Sequence, residues 1–470
     1  MRPDIKRSFI VLLASHWVSM LGVALATTAG FSWLFVLPQH VRGRVDNPYI
    51  GILIFLIIPA ILFLGLALIP VGIFLSRRQI ASGLSAVQDK PAAWRRIAIF
   101  LALMTLINVT LGTQTTYQAV RHMETRQFCG QTCHVMKPEF TASKYSPHSR
   151  LECVECHVAP GASGYLAAKM AGTRQLIEVV LNDFPRPIPS ALESNRLVPS
   201  AETCERCHSR NHDSGTPVKV IASYNDDERN TRSETVLTMK VGGPWAGIHG
   251  AHMGPGIRIR YAAADAKRQT IPWVDYRDAK GTVQSFTASD AKPGSIDSLP
   301  KFEMQCADCH NRPGHSFPTA DRALNDALNS NELPADLPYI KKTGLALLTA
   351  SYPTTEAASK EIPAKLTAFY ESKYPGLCTR RTADIARAGQ ALVSIYNRNV
   401  FPDLKVTWGT YPNNLGHTDA PGCFRCHDDS HVAANKKTIP NDCSTCHRMV
   451  AVDEPSPAVL TTLGIAGNNP

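Results

Sequence analysis

Apolar and polar positions divide the chain into an N-terminal part with three long apolar runs and a longer part of mixed character. No Asp, Glu, Lys or Arg occurs in residues 8–41, 47–76 and 97–120. The apolar cores of these runs are residues 9–37, 49–75 and 97–111. Each core is close to or above the ~20 residues that a membrane-spanning helix needs. The pattern therefore predicts three transmembrane helices within residues 1–117.

Positive charge gathers at the ends of these runs. Residues 1–117 carry 10 Lys/Arg against 3 Asp/Glu, whereas residues 118–470 carry 39 against 36. Because lysine and arginine stay on the cytoplasmic side of a membrane, we expect the N-terminus and the loop over residues 76–96 there. Residue 118 onward is then on the outer side. A nucleic-acid-binding protein would carry its basic residues on a folded domain, interleaved with aromatics, so no nucleic-acid partner is expected.

A cleaved signal peptide is the alternative interpretation of the first run, because Ala24-Leu25-Ala26 resembles a cleavage site. The apolar stretch continues through Phe35, which makes it too long for a signal-peptide core. His16 lies inside the run, and no second histidine in the spans could share a membrane haem with it. We interpret it as a helix-contact or quinone-proximal polar group.

Beyond residue 117 the periodicity changes twice. Five segments in residues 213–300 alternate apolar and polar positions and are rich in β-branched residues, which predicts strands. These segments are VKVIASY, ETVLTMKV, IRIRYAA, TIPWVDY and VQSFTAS. Residues 319–399 repeat apolar positions every three or four residues, which predicts helices. With 44% apolar and 19% charged residues, the chain is not disordered, collagen-like or a coiled coil.

Twelve of the 13 cysteines fall into six short motifs. Five read C-x-x-C-H, and the first, CGQTCH, has one more spacer residue. In chain order the motifs contain Cys129, Cys133 and His134; Cys153, Cys156 and His157; Cys204, Cys207 and His208; Cys306, Cys309 and His310; Cys423, Cys426 and His427; Cys443, Cys446 and His447. Two thiols at this spacing add to the vinyl groups of one haem, and the adjacent histidine reaches its iron.

Zinc binding by paired C-x-x-C motifs is the alternative for these cysteines. It does not need a histidine after every second cysteine, and all six motifs have one. The sequence therefore predicts six covalently bound c-type haems with their iron. Cys378, the remaining cysteine, is interpreted as a buried structural thiol.

The expected fold class is an N-terminal three-helix transmembrane anchor plus a mostly α-helical and irregular multihaem cytochrome c domain with a small β-rich insert. The anchor covers residues 1–117, haems 1–3 residues 118–212, the insert residues 213–300 and haems 4–6 residues 301–470, with a helical part over 319–399. Covalent haem is attached outside the cytoplasm, which agrees with the side predicted from charge.

Haems that only carry electrons need a second strong iron ligand, usually histidine or methionine. Six histidines near the motifs or in IHGAHM are candidates: His148, His249, His252, His315, His417 and His431. His122 and His212 are further candidates, and Met136, two residues after His134, is an alternative ligand for the first haem. The sequence does not pair these ligands with particular haems.

The run from the third apolar segment through CGQTCHVM and HSRLECVECH to GYLAAKMAG resembles the NapC/NirT family of membrane-anchored multihaem quinol dehydrogenases, which includes the NrfH type. CADCHNRPGHSF and NNLGHTDAPGCFRCHDDSH resemble its larger, three-span inner-membrane relatives of the ImcH type. In this family quinol binds beside the first haem, near a lysine in the helix after the second haem. Lys169 matches that lysine by position, and Glu139 is the candidate for the family's acidic group because Glu178 and Asp183 do not fit its position.

The resemblance implies a multi-pass protein of the bacterial inner membrane with its haem domain on the periplasmic side. We expect it to oxidise quinol or menaquinol from the quinone pool and to relay electrons to periplasmic cytochromes or a reductase, with the lipid bilayer as its other partner. Three alternatives stay open. These are a terminal reductase of a small nitrogen or sulfur substrate, which needs an open iron, a relay running in reverse to reduce quinone, and a non-catalytic redox-sensing subunit.

Overall fold

A computed structural model of the chain describes residues 16–40, 57–76, 91–132, 134–209, 211–292 and 294–465. Contacts along the chain define two compact units, Met1–Phe128 and Cys129–Pro470. The described residues of the first unit form three helices, α1 (Trp17–His40), α2 (Ile58–Leu75) and α3 (Pro91–Met123). Helix α3 continues through the polar run GTQTTYQ, which follows the third apolar core.

Small residues bring α1 and α2 together. A Cβ atom on Gly72 would lie 2.2 Å from the backbone nitrogen of Ser19, and one on Gly22 would lie 2.7 Å from the carbonyl oxygen of Gly65. No side chain fits at either place, so the two backbones approach directly. Contacts of this kind are typical of helices that pack inside a membrane, where lipid gives no hydrophobic drive for association.

Two of the described helices are long and apolar enough to cross a membrane, Ile58–Leu75 and residues Ala98–Met123 of α3. Their large apolar side chains, such as Phe63 and Leu106, point outward. The described apolar part of α1, Trp17–Ser32, is shorter. The predicted first span begins at residue 9, outside the described residues, so its crossing stays a prediction.

The second unit is built from short helices and two sheets joined by long irregular segments. Its helices are α4 (Lys137–Ser143), α5 (Val154–His157), α6 (Gly161–Val180), α7 (Gly247–Met253), α8 (Cys306–Cys309), α9 (Ala320–Asn329), α10 (Ile340–Thr349), α11 (Thr355–Lys373), α12 (Pro375–Arg380), α13 (Thr382–Asn399), α14 (Cys443–Cys446) and α15 (Ala458–Thr462). Its strands are β1 (Val218–Tyr224), β2 (Arg232–Met239), β3 (Arg258–Ala262), β4 (Trp273–Arg277), β5 (Val283–Ala288), β6 (Lys301–Glu303), β7 (His431–Ala433) and β8 (His447–Glu454).

The five predicted strand segments are confirmed as β1 to β5. They belong to two antiparallel sheets, one ordered β1-β2-β8 and one ordered β6-β3-β4-β5-β7. A tight turn joins β4 and β5, with Gly281 in the left-handed region at φ 88° and its N–H donating to the Asp278 carbonyl at 2.9 Å. Strands β6, β7 and β8 lie outside residues 213–300, so the insert shares both sheets with the C-terminal region. These three strands pair with the insert because the backbone groups at a strand edge need hydrogen-bonding partners.

The large apolar core lies in the helical part, where the predicted periodicity is confirmed by α9 to α13. Leu324, Leu348, Ile362, Leu366 and Leu392 are fully buried in it. Cys378 is half-buried and packs against the same core.

Asn230, at the tip of the β1–β2 hairpin, makes three hydrogen bonds to this helical part. Asn230 Nδ2 donates to the carbonyls of Ala335 and Leu337 at 2.9 and 2.8 Å, and its Oδ1 accepts from the Lys341 N–H at 3.0 Å. All three bonds join segments about 110 residues apart, and the Tyr374 hydroxyl adds a further bond to the Glu228 carboxylate at 2.8 Å, so the first sheet is tied to the helices at this tip.

Candidate haem sites

Five of the six motifs, numbered one to six in chain order, form single helical turns. Motifs two, four and six contain α5, α8 and α14, and motifs three and five contain 3₁₀ turns, Cys204–Arg206 and Gly422–Arg425. In motifs two to five the histidine N–H donates to the carbonyl of the first cysteine at 2.8–3.1 Å. A turn of this kind brings both thiols and the histidine to one side of the backbone, as a covalently attached haem requires.

Each of motifs two to six places its histidine ring opposite a histidine from outside the motifs. The centroids of the paired rings lie 5.8–6.4 Å apart. The pairs are His157 with His315, His208 with His148, His310 with His249, His427 with His252, and His447 with His417.

This spacing fits one metal ion between the two rings. A metal–imidazole nitrogen bond is about 2.0–2.1 Å long, and the ring centroid lies about 1.1 Å behind the nitrogen, so two axial imidazoles are about 6.2–6.4 Å apart. Two rings supply two ligands only. In the part of the chain that the structure describes, no cluster of three or more His, Cys, Asp or Glu side chains could hold a metal ion by itself. The donor set therefore fits an iron whose other ligands come from a porphyrin, and it does not fit a zinc site of four protein ligands.

Hydrogen bonds orient several of these rings. The Nδ1 atoms of His148, His252 and His427 lie 3.0, 2.7 and 2.9 Å from the carbonyls of Pro313, Ile248 and Pro440, respectively. An Nδ1–H that donates to a carbonyl leaves the Nε2 lone pair for a metal and fixes the ring plane.

Burial favours the neutral form of four of the paired rings. Desolvation lowers the pKa of His157, His252 and His310, and it lowers the pKa of His315 to about 3, assisted by the nearby Arg312 charge. A neutral imidazole is the form that binds a metal.

Electrostatic interactions between motifs show which of them are neighbours. With free thiols, burial raises the pKa of Cys156, and the motif-three thiols raise it further. His310 interacts with His208, which joins motifs four and three. Burial raises the pKa of Cys426 to about 12, with Cys309 among its neighbours, and Cys446 interacts with Cys423. Motifs two to six are therefore neighbours in the order in which they occur in the chain.

The segment Cys306–His315 serves three motifs at once. It contains the motif-four cysteines, and His315 faces His157 of motif two. The Pro313 carbonyl orients His148, which faces His208 of motif three. Helix α7 contributes a facing histidine to two motifs, because His249 faces motif four and His252 faces motif five.

A buried polar cluster between motifs four and five was not anticipated from the sequence. Asp308, inside motif four, binds Tyr261 and the Arg268 guanidinium, the latter at 3.1 Å. Arg425, inside motif five, donates to the carbonyls of Asp308 at 2.7 Å and Arg268 at 2.9 Å. The sequence does contain a sign of this cluster, because Asp308 and Arg425 are charged residues between the two cysteines of their motifs.

The prediction for His431 is not supported, because both of its ring nitrogens have other partners. This buried ring has Nδ1 2.8 Å from Asp428 Oδ1 and Nε2 2.7 Å from the Ile271 carbonyl. Because both ring nitrogens are hydrogen-bonded, neither has a free lone pair for iron. We therefore interpret His431 as a structural residue of β7. His16, the residue before α1, accepts the Val18 N–H on Nδ1 at 3.2 Å.

The first motif is only partly visible, since Cys133 and the side chain of His134 lie outside the described residues. Met136 precedes α4 and is half-buried. His122 lies in the last turn of α3, with its ring 5.7 Å from that of Phe128, and His212 is exposed. The second ligand of the first haem therefore stays a prediction.

The two predicted quinol-site residues lie on different helices. Lys169, on α6, has Nζ 4.8 Å from the centre of the Tyr165 ring. Glu139, on α4, is half-buried, and its solvent-shielded Oε2 has no hydrogen-bond partner. Burial raises the pKa of Glu139, while Arg312 and Tyr411 oppose the rise. Glu178 is paired with Arg174 at 2.8 Å.

Cysteine turns with facing histidines place the molecule among the c-type cytochromes. The family model "NapC/NirT cytochrome c family, N-terminal region" matches residues 92–237. Cytochrome c-type protein ImcH of Geobacter sulfurreducens is 36% identical over 447 residues, which cover 92% of this chain and 87% of that protein. No solved structure matches. The chain belongs to the NapC/NirT cytochrome c family, which is membrane-anchored, and it is an electron-transfer protein with covalently bound haem iron.

Proposed function

We propose that this protein is a multi-pass quinol dehydrogenase of the bacterial inner membrane that carries electrons from the quinone pool to periplasmic cytochromes or a reductase. The observation that carries the proposal is the set of five facing histidine pairs. Bound haem iron supplies a one-electron couple, and six haems would be held by the twelve motif cysteines. The orientation with the haem domain outside rests on the distribution of lysine and arginine.

The histidine pairs favour electron relay over reduction of a small substrate. Such a reductase needs an iron with an open position, and motifs two to six each have a second histidine opposite the first. The order of neighbouring motifs also supports a relay, since electrons move only between closely spaced centres. We assign His148, His249, His252, His315 and His417 as second ligands, and either Met136 or a histidine to the first haem.

Oxidation of one quinol releases two electrons and two protons, so the site needs a group that takes protons. We propose Lys169 and Glu139 for this site. Lys169 is held against the Tyr165 ring, where it can bind a quinol oxygen. Burial raises the pKa of Glu139, so its carboxyl binds a proton more tightly than an exposed carboxyl does.

Reduction of the purified holoprotein by menadiol, followed by the haem absorbance, tests this proposal. Lys169→Ala should slow reduction about tenfold or more. Lys144→Ala is the matched control, because Lys144 also lies over an aromatic ring, with Nζ 4.5 Å from the Phe140 centroid. A wild-type protein that dithionite reduces fully and menadiol does not reduce would refute the quinol function.

A further inference from the structure

His417, the partner of the motif-six histidine, lies in a short loop that leads directly into motif five. The loop closes on itself, because the Cys423 N–H donates to the Gly416 carbonyl at 2.9 Å. At Gly422, which has a φ of 51°, an added Cβ would lie 1.7 Å from the same carbonyl oxygen, so no side chain fits there. The backbone therefore holds His417 next to the cysteine turn of motif five.

Phe424, the residue after the first cysteine of motif five, stacks its ring on that of His417. The two ring centroids are 4.4 Å apart, and the ring planes meet at 22°. The Phe424 side chain is 38% exposed, so it does not serve as a core residue. The His447 ring lies 6.1 Å from that of His417, with 24° between the planes. The ring of His417 is therefore nearly parallel to both neighbours, and stacking of this kind favours one ring orientation.

Arg322 fastens the two residues that follow His417. Its Nη2 donates to Thr418 Oγ1 at 2.9 Å, and its Nη1 lies 3.0 Å from Asp419 Oδ2. The Asp419 side chain is only 15% exposed, so this ion pair is partly shielded from water. Arg322 belongs to α9, which is anchored in the helical core by the fully buried Leu324. The loop is therefore tied to the largest core of the second unit.

The angle between facing rings divides the five pairs into two classes. Two pairs are nearly parallel, and the other three meet at 51–74°. The parallel pairs are His157 with His315, at 12°, and His417 with His447, at 24°. Groups that contact a metal ligand fix its orientation and tune the metal. We infer that Phe424 and Arg322 are positioning residues that fix the ring plane of His417. This inference rests on the proposed assignment of His417 as a second iron ligand.

Electron paramagnetic resonance of the oxidised full-length holoprotein tests the positioning role. Low-spin haems with nearly parallel axial rings give a rhombic signal, whereas strongly tilted rings give a broad signal at low field. Phe424→Leu should lower the rhombic intensity by about half, because one of the two parallel pairs loses its fixed plane. Arg322→Ala, outside the haem motifs, should lower the same signal, and it tests the loop even if Phe424→Leu takes up no haem.

Two variants serve as controls. Phe424→Tyr keeps the aromatic ring and should retain the wild-type rhombic signal. Leu415→Ala shortens an apolar side chain of the same loop that is 56% exposed, and it should also leave the signal unchanged. An effect that appears in Phe424→Leu and is absent from both controls identifies the stacked ring as its cause.

His417→Ala separates this inference from the ligand assignment. It should let the reduced protein bind about one more carbon monoxide per chain than the wild type. If it adds none, His417 is not a ligand, and the assignment and the inference are both wrong. If it adds one while the rhombic signal is unchanged in Phe424→Leu or in Arg322→Ala, the assignment stands and the role of that residue is overturned. An equal loss of signal in Leu415→Ala would also overturn the inference.

Discussion

Replacing His249 or His252 by alanine is expected to open two different irons, although both residues lie on the seven-residue helix α7. The ring of His249 faces His310 at 6.4 Å, and that of His252 faces His427 at 5.8 Å. Both distances are close to the spacing of two axial imidazoles on one metal ion. Alanine removes the whole ring and leaves the α7 backbone able to form.

The size of the effect follows from one vacant ligand position per variant. Each single variant should convert about one sixth of the haem, ~17%, from low spin to high spin, and the reduced protein should bind about one more carbon monoxide per chain than the wild type. The double variant should bind about two more, because the two changes affect separate irons. Electron paramagnetic resonance measures the high-spin fraction, and a carbon monoxide titration counts the open positions.

His431→Gln is the matched control, because His431 is buried and hydrogen-bonded at both ring nitrogens. It should add no carbon monoxide site. The reasoning is refuted if the double variant binds no more carbon monoxide than either single variant, since the two histidines would then serve one iron. It is equally refuted if none of the α7 variants binds more than the wild type.

Three further outcomes are expected. Asp308→Ala should lower the free energy of unfolding by about 3–5 kcal/mol, because Arg268 loses its buried partner; a loss below about 1 kcal/mol in denaturant unfolding would contradict this. Asn230→Ala should cost about 2–4 kcal/mol through three lost hydrogen bonds, and an unchanged denaturation midpoint would show that the hairpin tip is not fastened there. Burial raises the pKa of Glu139, so the folded state holds its proton more tightly than the unfolded state, and the protein loses stability as pH rises from the ordinary value of 4.5 through the folded pKa. Glu139→Gln should therefore raise the melting temperature at neutral pH and leave it unchanged in acid, whereas an equal change at both would be inconsistent with a raised pKa.

Local patterns in the sequence predict the local structure of this chain well. The segment VKVIASY coincides with β1, Val218–Tyr224, and the apolar repeat over residues 319–399 corresponds to five packed helices. Both signals depend on neighbouring residues alone.

The partners of the motif histidines could not be read from the sequence, because they depend on contacts between distant segments. His157 faces His315 across the fold, whereas His431, only four residues from His427, is used elsewhere. Closeness along the chain misled the prediction at His431, and Asp428, three residues before it, was the sign of a local hydrogen bond. Two histidines in IHGAHM, by contrast, suggested ligands, and a single helix turn presents them to two motifs.

The pairing of His157 with His315 has a consequence for the order in which the haems acquire their ligands, because a chain is synthesised from its N-terminus. In four of the five pairs the partner histidine precedes the motif, so it is already present when that motif appears. Among these five motifs, the second must wait for a residue that is made much later. Its prosthetic group would stay half-ligated through most of biogenesis, so we expect a chain truncated before residue 315 to accumulate with that centre open to foreign ligands.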